Sequence, residues 1–210
     1  MTKTTTSLNT WSLFLGIALL QAGVGLQRPL LGLRAEDAGF ASVTAALVMS
    51  AYYAGFLLGT RYIGRLLSEV GHIRTFAGLA STASSIVLLQ GLWISPIPWG
   101  ICRLIFGICT AALYVVAESW LNDVTTNQDR GRVLSVYMVV AVGATTIGQY
   151  SVAFASTAGF TLFAIASVLV SMALVPVALS RRSTAPTVVP QPVTFRKLYS
   201  VVPTGLIVCW

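Results

Sequence analysis

The chain has 210 residues, 56% of them hydrophobic and 9% charged, with a mean hydropathy of +0.82. A water-soluble domain carries about a quarter charged residues, so this composition excludes a soluble globular protein and points to one embedded in a membrane. The formal net charge of +7, from 13 basic and 6 acidic side chains, fits cytoplasmic loops rich in Arg and Lys and does not by itself require nucleic acid.

A hydrocarbon core about 30 Å thick takes roughly 20 apolar helical residues. The first such run, residues 11–26, follows a polar Thr-rich tail with one cation, Lys3. Gln21-Ala22-Gly23 is a poor cleavage site, so the run reads as a retained helix rather than a signal peptide. A second run covers residues 41–63 and ends at Arg65, and a third covers residues 75–94, stopped by Ser95-Pro96-Ile97-Pro98. The fourth, residues 99–121, contains Arg103 and Glu118. A polar segment, 122–132, leads to a fifth run at 133–155. The sixth covers 160–180 and ends at Arg181 and Arg182. Residues 183–193, rich in Pro, Thr and Val, read as a linker. A new apolar run from Leu198 reaches Trp210 with no closing polar flank, as expected of a fragment whose seventh helix is cut.

The cations set an orientation. With the N-terminus inside, Lys3, Arg61, Arg65, Arg74, Arg130, Arg132, Arg181, Arg182, Arg196 and Lys197 all fall on the cytoplasmic side, whereas Arg28 and Arg34 face outward beside Glu36 and Asp37. Cys102, Cys109 and Cys209 all sit inside apolar runs, which argues against a disulfide framework or a metal site.

Small residues recur at fourfold spacing: Ala51, Gly55 and Gly59 in the second run, Gly107 and Ala111 in the fourth, Ala144 and Gly148 in the fifth. Such spacing lets helix backbones approach closely in lipid; tight packing alone accounts for it, and a mobile bundle needs the same smooth seams. Polar residues within spans cost energy unless partnered or hydrated. Gln21 and Arg28, seven apart, share a helix face. The second run carries Ser50, Tyr52 and Tyr53, and the fifth carries Thr145, Thr146, Gln149 and Tyr150. The third and sixth runs read as apolar with small hydroxyls. Helices 1, 2, 4 and 5 are therefore expected to line a hydrated cavity. Arg103 lies near the outer end of helix 4, where it either snorkels to headgroups or binds an anionic group. Glu118, fifteen residues further, is about 22 Å away along the helix and must find another partner among Arg65, Arg74, Arg130 and Arg132. His72 reads as a surface contact, and Asp123 and Asp129 as solvated loop charges that can partner Arg130 or Arg132.

Residues 64–74, GRLLSEVGHIR, resemble the signature loop of the major facilitator superfamily, G-x-L-x-D-R-x-G-R-K/R. Gly64, Leu66 and Gly71 fit, and Arg74 stands one position beyond the closing basic residue, while Ser68 replaces the aspartate, with Glu69 beside it, and His72 replaces a basic residue. Arg103-x-x-x-Gly107 is similar to the superfamily's helix 4 motif. Helix 5 keeps Gly143 and Gly148-Gln149 where its proton antiporters often show Gly-Pro. Residues 114–122, YVVAESWLN, followed by Arg130-Gly131-Arg132, are similar to a largely uncharacterised bacterial inner-membrane branch.

The resemblance implies an all-α membrane protein: a six-helix transmembrane bundle built as a 3+3 repeat (residues 1–182), a cytoplasmic interdomain linker (183–197) and the start of a C-terminal transmembrane domain (198–210). It implies a secondary active transporter of a small solute in the inner membrane, with substrate held near mid-membrane and access alternating by rocking of two halves; proton coupling stays open. Candidate cavity residues are Gln21, Arg28, Tyr53, Arg103 and Gln149. A gating charge cluster comprises Gly64, Arg65, Glu69, Gly71, Arg74, Glu118, Arg130 and Arg132. The expected partners are the solute, the lipid bilayer and a second six-helix half of the same protein, or a second copy as a homodimer. No nucleic acid, metal or cofactor is expected. A non-transporting sensor or scaffold on the same fold is the alternative. An intramembrane protease or haem protein is disfavoured, because His72, in a predicted loop, is the sole histidine and no Gly-x-Ser-x-Gly elbow occurs.

Overall fold

The structure, a computed structural model, describes residues 3–126, 128–157 and 159–179. Among these, six helices are long and apolar enough to cross a membrane. They are α1 (Lys3–Asp37), α2 (Ser42–Val70), α3 (His72–Leu92), α4 (Pro96–Val124), α5 (Arg130–Ser151), extended by a short 3₁₀ turn (Val152–Phe154), and α6 (Thr161–Met172), continued after a brief break by Leu174–Ala178. The expected linker, the start of a seventh helix, Arg181, Arg182, Arg196, Lys197 and Cys209 lie outside the described residues.

Helices α1, α2 and α4 run further than the apolar runs that announce them. Helix α1 has 35 residues, about 52 Å at 1.5 Å per residue, and passes through Pro29 without stopping. Proline is tolerated in membrane helices because neighbouring groups re-satisfy the freed carbonyl. Arg28, expected to share a helix face with Gln21, and Arg34, which lies well past the first apolar run, are both helical. The expected polar segment 122–132 shrinks to the turn between Val124 and Arg130. Likewise, the signature segment is almost wholly helical: residues 64–70 close α2 and residues 72–74 open α3. Gly71 alone joins them, at φ 86° and ψ 164°, a region open essentially only to glycine. Ser95 precedes α4, whose Pro96 occupies the first turn, where its missing N–H costs nothing and its fixed φ suits a helix.

Apart from α3 and α4, helices adjacent in sequence scarcely touch. Instead α2 and α3 pack on α4, α5 and α6 pack on α1, and α3 meets α6. Exchanging α1–α3 with α4–α6 maps this pattern onto itself, as a 3+3 repeat requires. The seams repeat too. A side chain on Gly55 would strike the Leu104 carbonyl and one on Gly107 the Tyr52 carbonyl; likewise Gly148 abuts the Ala22 carbonyl and Gly25 the Thr145 carbonyl. Both seams pair residues three apart on each helix, so the α2–α4 crossing and the α5–α1 crossing have one geometry.

Helices α1 and α4 thus form the centre, whereas α2 and α5 expose most of their length. Leu47, Leu57, Val139 and Ile147 are exposed apolar side chains on these two helices, a surface suited to lipid rather than water. Between α3 and α6, Ser84 lies 2.7 Å from the Ser167 hydroxyl and accepts from Ser171 at 2.6 Å.

Candidate functional site

Arg103 sits on α4, four residues before Gly107, so the two share a helix face. Glycine at 107 admits the Tyr52 backbone of α2, and this close approach brings the Tyr52 ring to Arg103: the guanidinium carbon lies 4.7 Å from the ring centroid. The Arg103-x-x-x-Gly107 spacing thus has a local physical meaning. The charge rests on the aromatic face that the glycine lets in, an attraction that strengthens when desolvated.

The expected choice for Arg103 between snorkelling and an interior role falls inward. It is 5% exposed, and its Nη1 donates to Gln27 Oε1 of α1 at 3.5 Å. Gln27 Nε2 in turn donates to Gln90 Oε1 of α3 at 2.7 Å, and Trp99 Nε1 donates to the Gln90 backbone carbonyl at 2.9 Å. Gln27 and Gln90 are wholly buried. One polar chain therefore ties α1, α3 and α4 together inside the bundle. It is incompletely satisfied: among the described residues, Arg103 Nε and Gln90 Nε2 have no hydrogen-bond partner.

Arg28 approaches the same aromatic ring, with its guanidinium carbon 5.9 Å from the Tyr52 centroid. Tyr52 also contacts Tyr53, Phe56 and Phe106 at centroid distances of 5.3, 6.0 and 6.3 Å, and its hydroxyl lies 3.2 Å from that of Thr110. Phe56 continues to Tyr114 at 6.1 Å, whose O–H donates to Gln21 Oε1 at 2.8 Å. Gln21, Arg28, Tyr53 and Arg103 are thus linked by one aromatic seam on α1, α2 and α4. Gln149 is exposed on α5, and among the described residues no hydrogen bond, ion pair or ring contact links it to this group.

The centre of the seam is Tyr52 rather than Tyr53: the former is 4% exposed, the latter 69%. Gln27 and Gln90 were not among the expected candidates, and Gln90 corrects the expectation that the third helix bears only small hydroxyls. A glutamine inside an apolar run is the available signal for Gln90, whereas Gln27 follows directly on the first run and is buried because α1 continues through Pro29.

The other end of the bundle holds the proposed charge cluster. Glu118 is exposed and accepts from the Tyr137 O–H of α5 at 3.0 Å. Among the described side chains no cation lies within 4 Å of it, while the Arg65 side chain is outside the description. Arg74, Arg130, Arg132 and Glu69 are exposed, and Gly64 has open space where a side chain would stand. What the α2–α3 junction does engage is α4, through His72: its Nε2 lies 3.2 Å from Ser119 Oγ and 3.5 Å from Asp123 Oδ2, and its ring packs on Trp120. His72 is thus a part-buried interhelical contact, and Asp123 pairs with it rather than with Arg130 or Arg132.

Residues 13–208 match the family model described as Major Facilitator Superfamily. The chain belongs to the major facilitator superfamily. As a member of it, the protein is a multi-pass membrane protein of a transporter family, and its six helices form one interleaved half of that fold. Curated relatives include the uncharacterized MFS-type transporter YcaD of Salmonella arizonae, Salmonella newport and Salmonella typhimurium, each 33% identical over 141 residues. The match covers 65% of this chain and 36% of each relative.

Proposed function

We propose that the chain acts as the N-terminal half of a secondary active transporter that carries a small solute by alternating access. The observation that carries the reading is the Arg103–Gln27–Gln90 chain with its Tyr52 platform. An ionised side chain within a span is expensive and marks a solute or ion path more often than a structural brace. Gln21, Arg28, Tyr53 and Arg103 then belong to this half's wall of the path, with Gln149 contributing from α5. The second half comes from the same polypeptide, with a second copy of this chain as the alternative. The expected cytoplasmic linker at 183–197 would join the halves. Family membership and the lack of intramembrane catalytic groups in the sequence favour transport over enzymatic chemistry.

We place the protein in the inner membrane with Lys3, Arg61, Arg74, Arg130 and Arg132 on the cytoplasmic side, as the bias of loop cations favours. In that frame His72, Ser119, Asp123, Glu118 and Tyr137 form the cytoplasmic gate, made in one access state and opened in the other.

The test is counterflow. The polypeptide encoded by the intact gene is reconstituted into liposomes and screened against a labelled metabolite library, with and without a pH gradient. Saturable exchange abolished by Arg103→Gln is the expected result, and dependence on the gradient would assign proton coupling. Ligand binding without any exchange would instead establish the sensor or scaffold reading.

A further inference from the structure

Resting on that reading, we infer that the solute is an organic anion with an aromatic or otherwise apolar body, its acidic group held by Arg28 and Arg103 and its body laid against Tyr52, Tyr53 and Phe56.

The argument begins with where the negative charges are. The chain has six carboxylates. Glu36 and Asp37 end α1, Glu69 lies in the last turn of α2, Glu118 and Asp123 lie toward the end of α4, and Asp129 precedes α5. Arg28 is eight residues before Glu36, about 12 Å along the helix, and Arg103 is about 22 Å from Glu118. No described carboxylate lies within 4 Å of either guanidinium. Two cations nevertheless converge on one ring. Arg103 is buried while Arg28 is exposed, so water screens their mutual repulsion only in part, and the face of Tyr52 offsets part of the remainder. A bound anion reverses the sign of this balance.

The donors suit such a group. A guanidinium presents five N–H bonds in a planar fork that matches a carboxylate or phosphate. Arg103 uses one of these toward Gln27, at the long distance of 3.5 Å, and among the described residues its Nε has no partner. Arg28 is exposed beside it and gives access from outside the bundle. The edge contact of Tyr53 on Tyr52 and the run through Phe56 to Tyr114 extend an aromatic surface from the charged pair. A cationic solute would meet repulsion there, and a neutral one would leave the guanidinium groups uncompensated.

Benzoate, benzamide and benzylamine form a probe series of similar shape and differ in charge. With the full-length protein in detergent, benzoate at millimolar concentration raises the unfolding temperature and quenches intrinsic fluorescence saturably, while benzamide and benzylamine do neither. Arg28→Gln and Arg103→Gln each weaken benzoate binding at least tenfold. Should Arg103→Gln fail to fold, Arg28→Gln decides, because that side chain is exposed. Equal effects of the three probes, indifference to benzoate, or unchanged benzoate binding in Arg28→Gln overturns the inference. A carboxylate elsewhere in the polypeptide that neutralises the pair shows itself as benzoate indifference. If the library screen finds counterflow of a neutral or cationic solute, the anion assignment falls and transport stands; if no solute exchanges, the transport reading itself fails.

Discussion

Gly71 and Gly64 show how differently two glycines of one motif can be constrained. Gly71 adopts a conformation that other residues reach at a cost of about 1–3 kcal/mol, whereas Gly64 is helical with nothing within 4 Å of a notional side chain. Gly71→Ala is therefore expected to lower stability by about that amount, and Gly64→Ala to be neutral or slightly stabilising, as helix propensity favours alanine; thermal unfolding in detergent measures both. Glu118 offers a second contrast. Glutamine at 118 keeps an oxygen to accept from Tyr137, so Glu118→Gln should retain the fold, while Glu118→Ala should lose about 1 kcal/mol for the missing bond. If the carboxylate charge takes part in gating, Glu118→Gln alters the distribution of access states, read by distance measurements between labels across the gate. Unchanged transport and an unchanged distribution remove Glu118 from the gate. At this scale the sequence was partly legible. Arg103 and Gln21 stood out because polar atoms in an apolar run are conspicuous. That Tyr52 rather than Tyr53 is the buried one of the pair was not legible, because adjacent residues on a helix differ by about 100° and only the packing partner decides which turns inward. His72 pairs with a residue 51 positions away, a relation that no local pattern carries.

For the helices, the apolar runs revealed number and order but not ends. Hydropathy reports where lipid is, and a helix need not stop where lipid stops: α1 continues through Arg28, Pro29 and Arg34 because backbone hydrogen bonding favours propagation. Small-residue spacing was legible in α2, α4 and α5, and the structure assigns each stripe its partner. Gly25, which completes the α1–α5 seam, was missed because no fourfold repeat surrounds it. The seams support a sharp expectation. Gly55→Val and Gly148→Val each drive a side chain into a backbone carbonyl of the facing helix, so each should abolish a monodisperse peak in size-exclusion chromatography. Gly143→Val lies on the same helix as Gly148 with open space around it and should elute as the parent does. If all three behave alike, the seams are not close-packed as described.

The whole bundle obeys a two-triplet symmetry that sequence alone suggested only through resemblance, since the two triplets share little beyond their apolar character. Orientation can be read directly. With the buried Cys102 and Cys109 and Cys209 replaced by alanine, Ala38→Cys in the exposed turn after α1 should react with a membrane-impermeant maleimide added to intact cells, while Gln128→Cys, in the turn before α5, should react only after the cells are opened. The reverse pattern inverts the orientation and moves the His72–Asp123 contact to the outer face.

The exchange of partners between triplets also bears on biosynthesis. When the third helix has left the ribosome, none of the first three has yet met the helices it will lean on, since α1 awaits α5 and α6 while α2 and α3 await α4. The nascent chain must therefore pass through a stage in which three spans sit in the bilayer as loosely associated rods, held by lipid and by the insertion machinery. Emergence of α4 recruits α2 and α3, and only delivery of α5 and α6 locks the first in place.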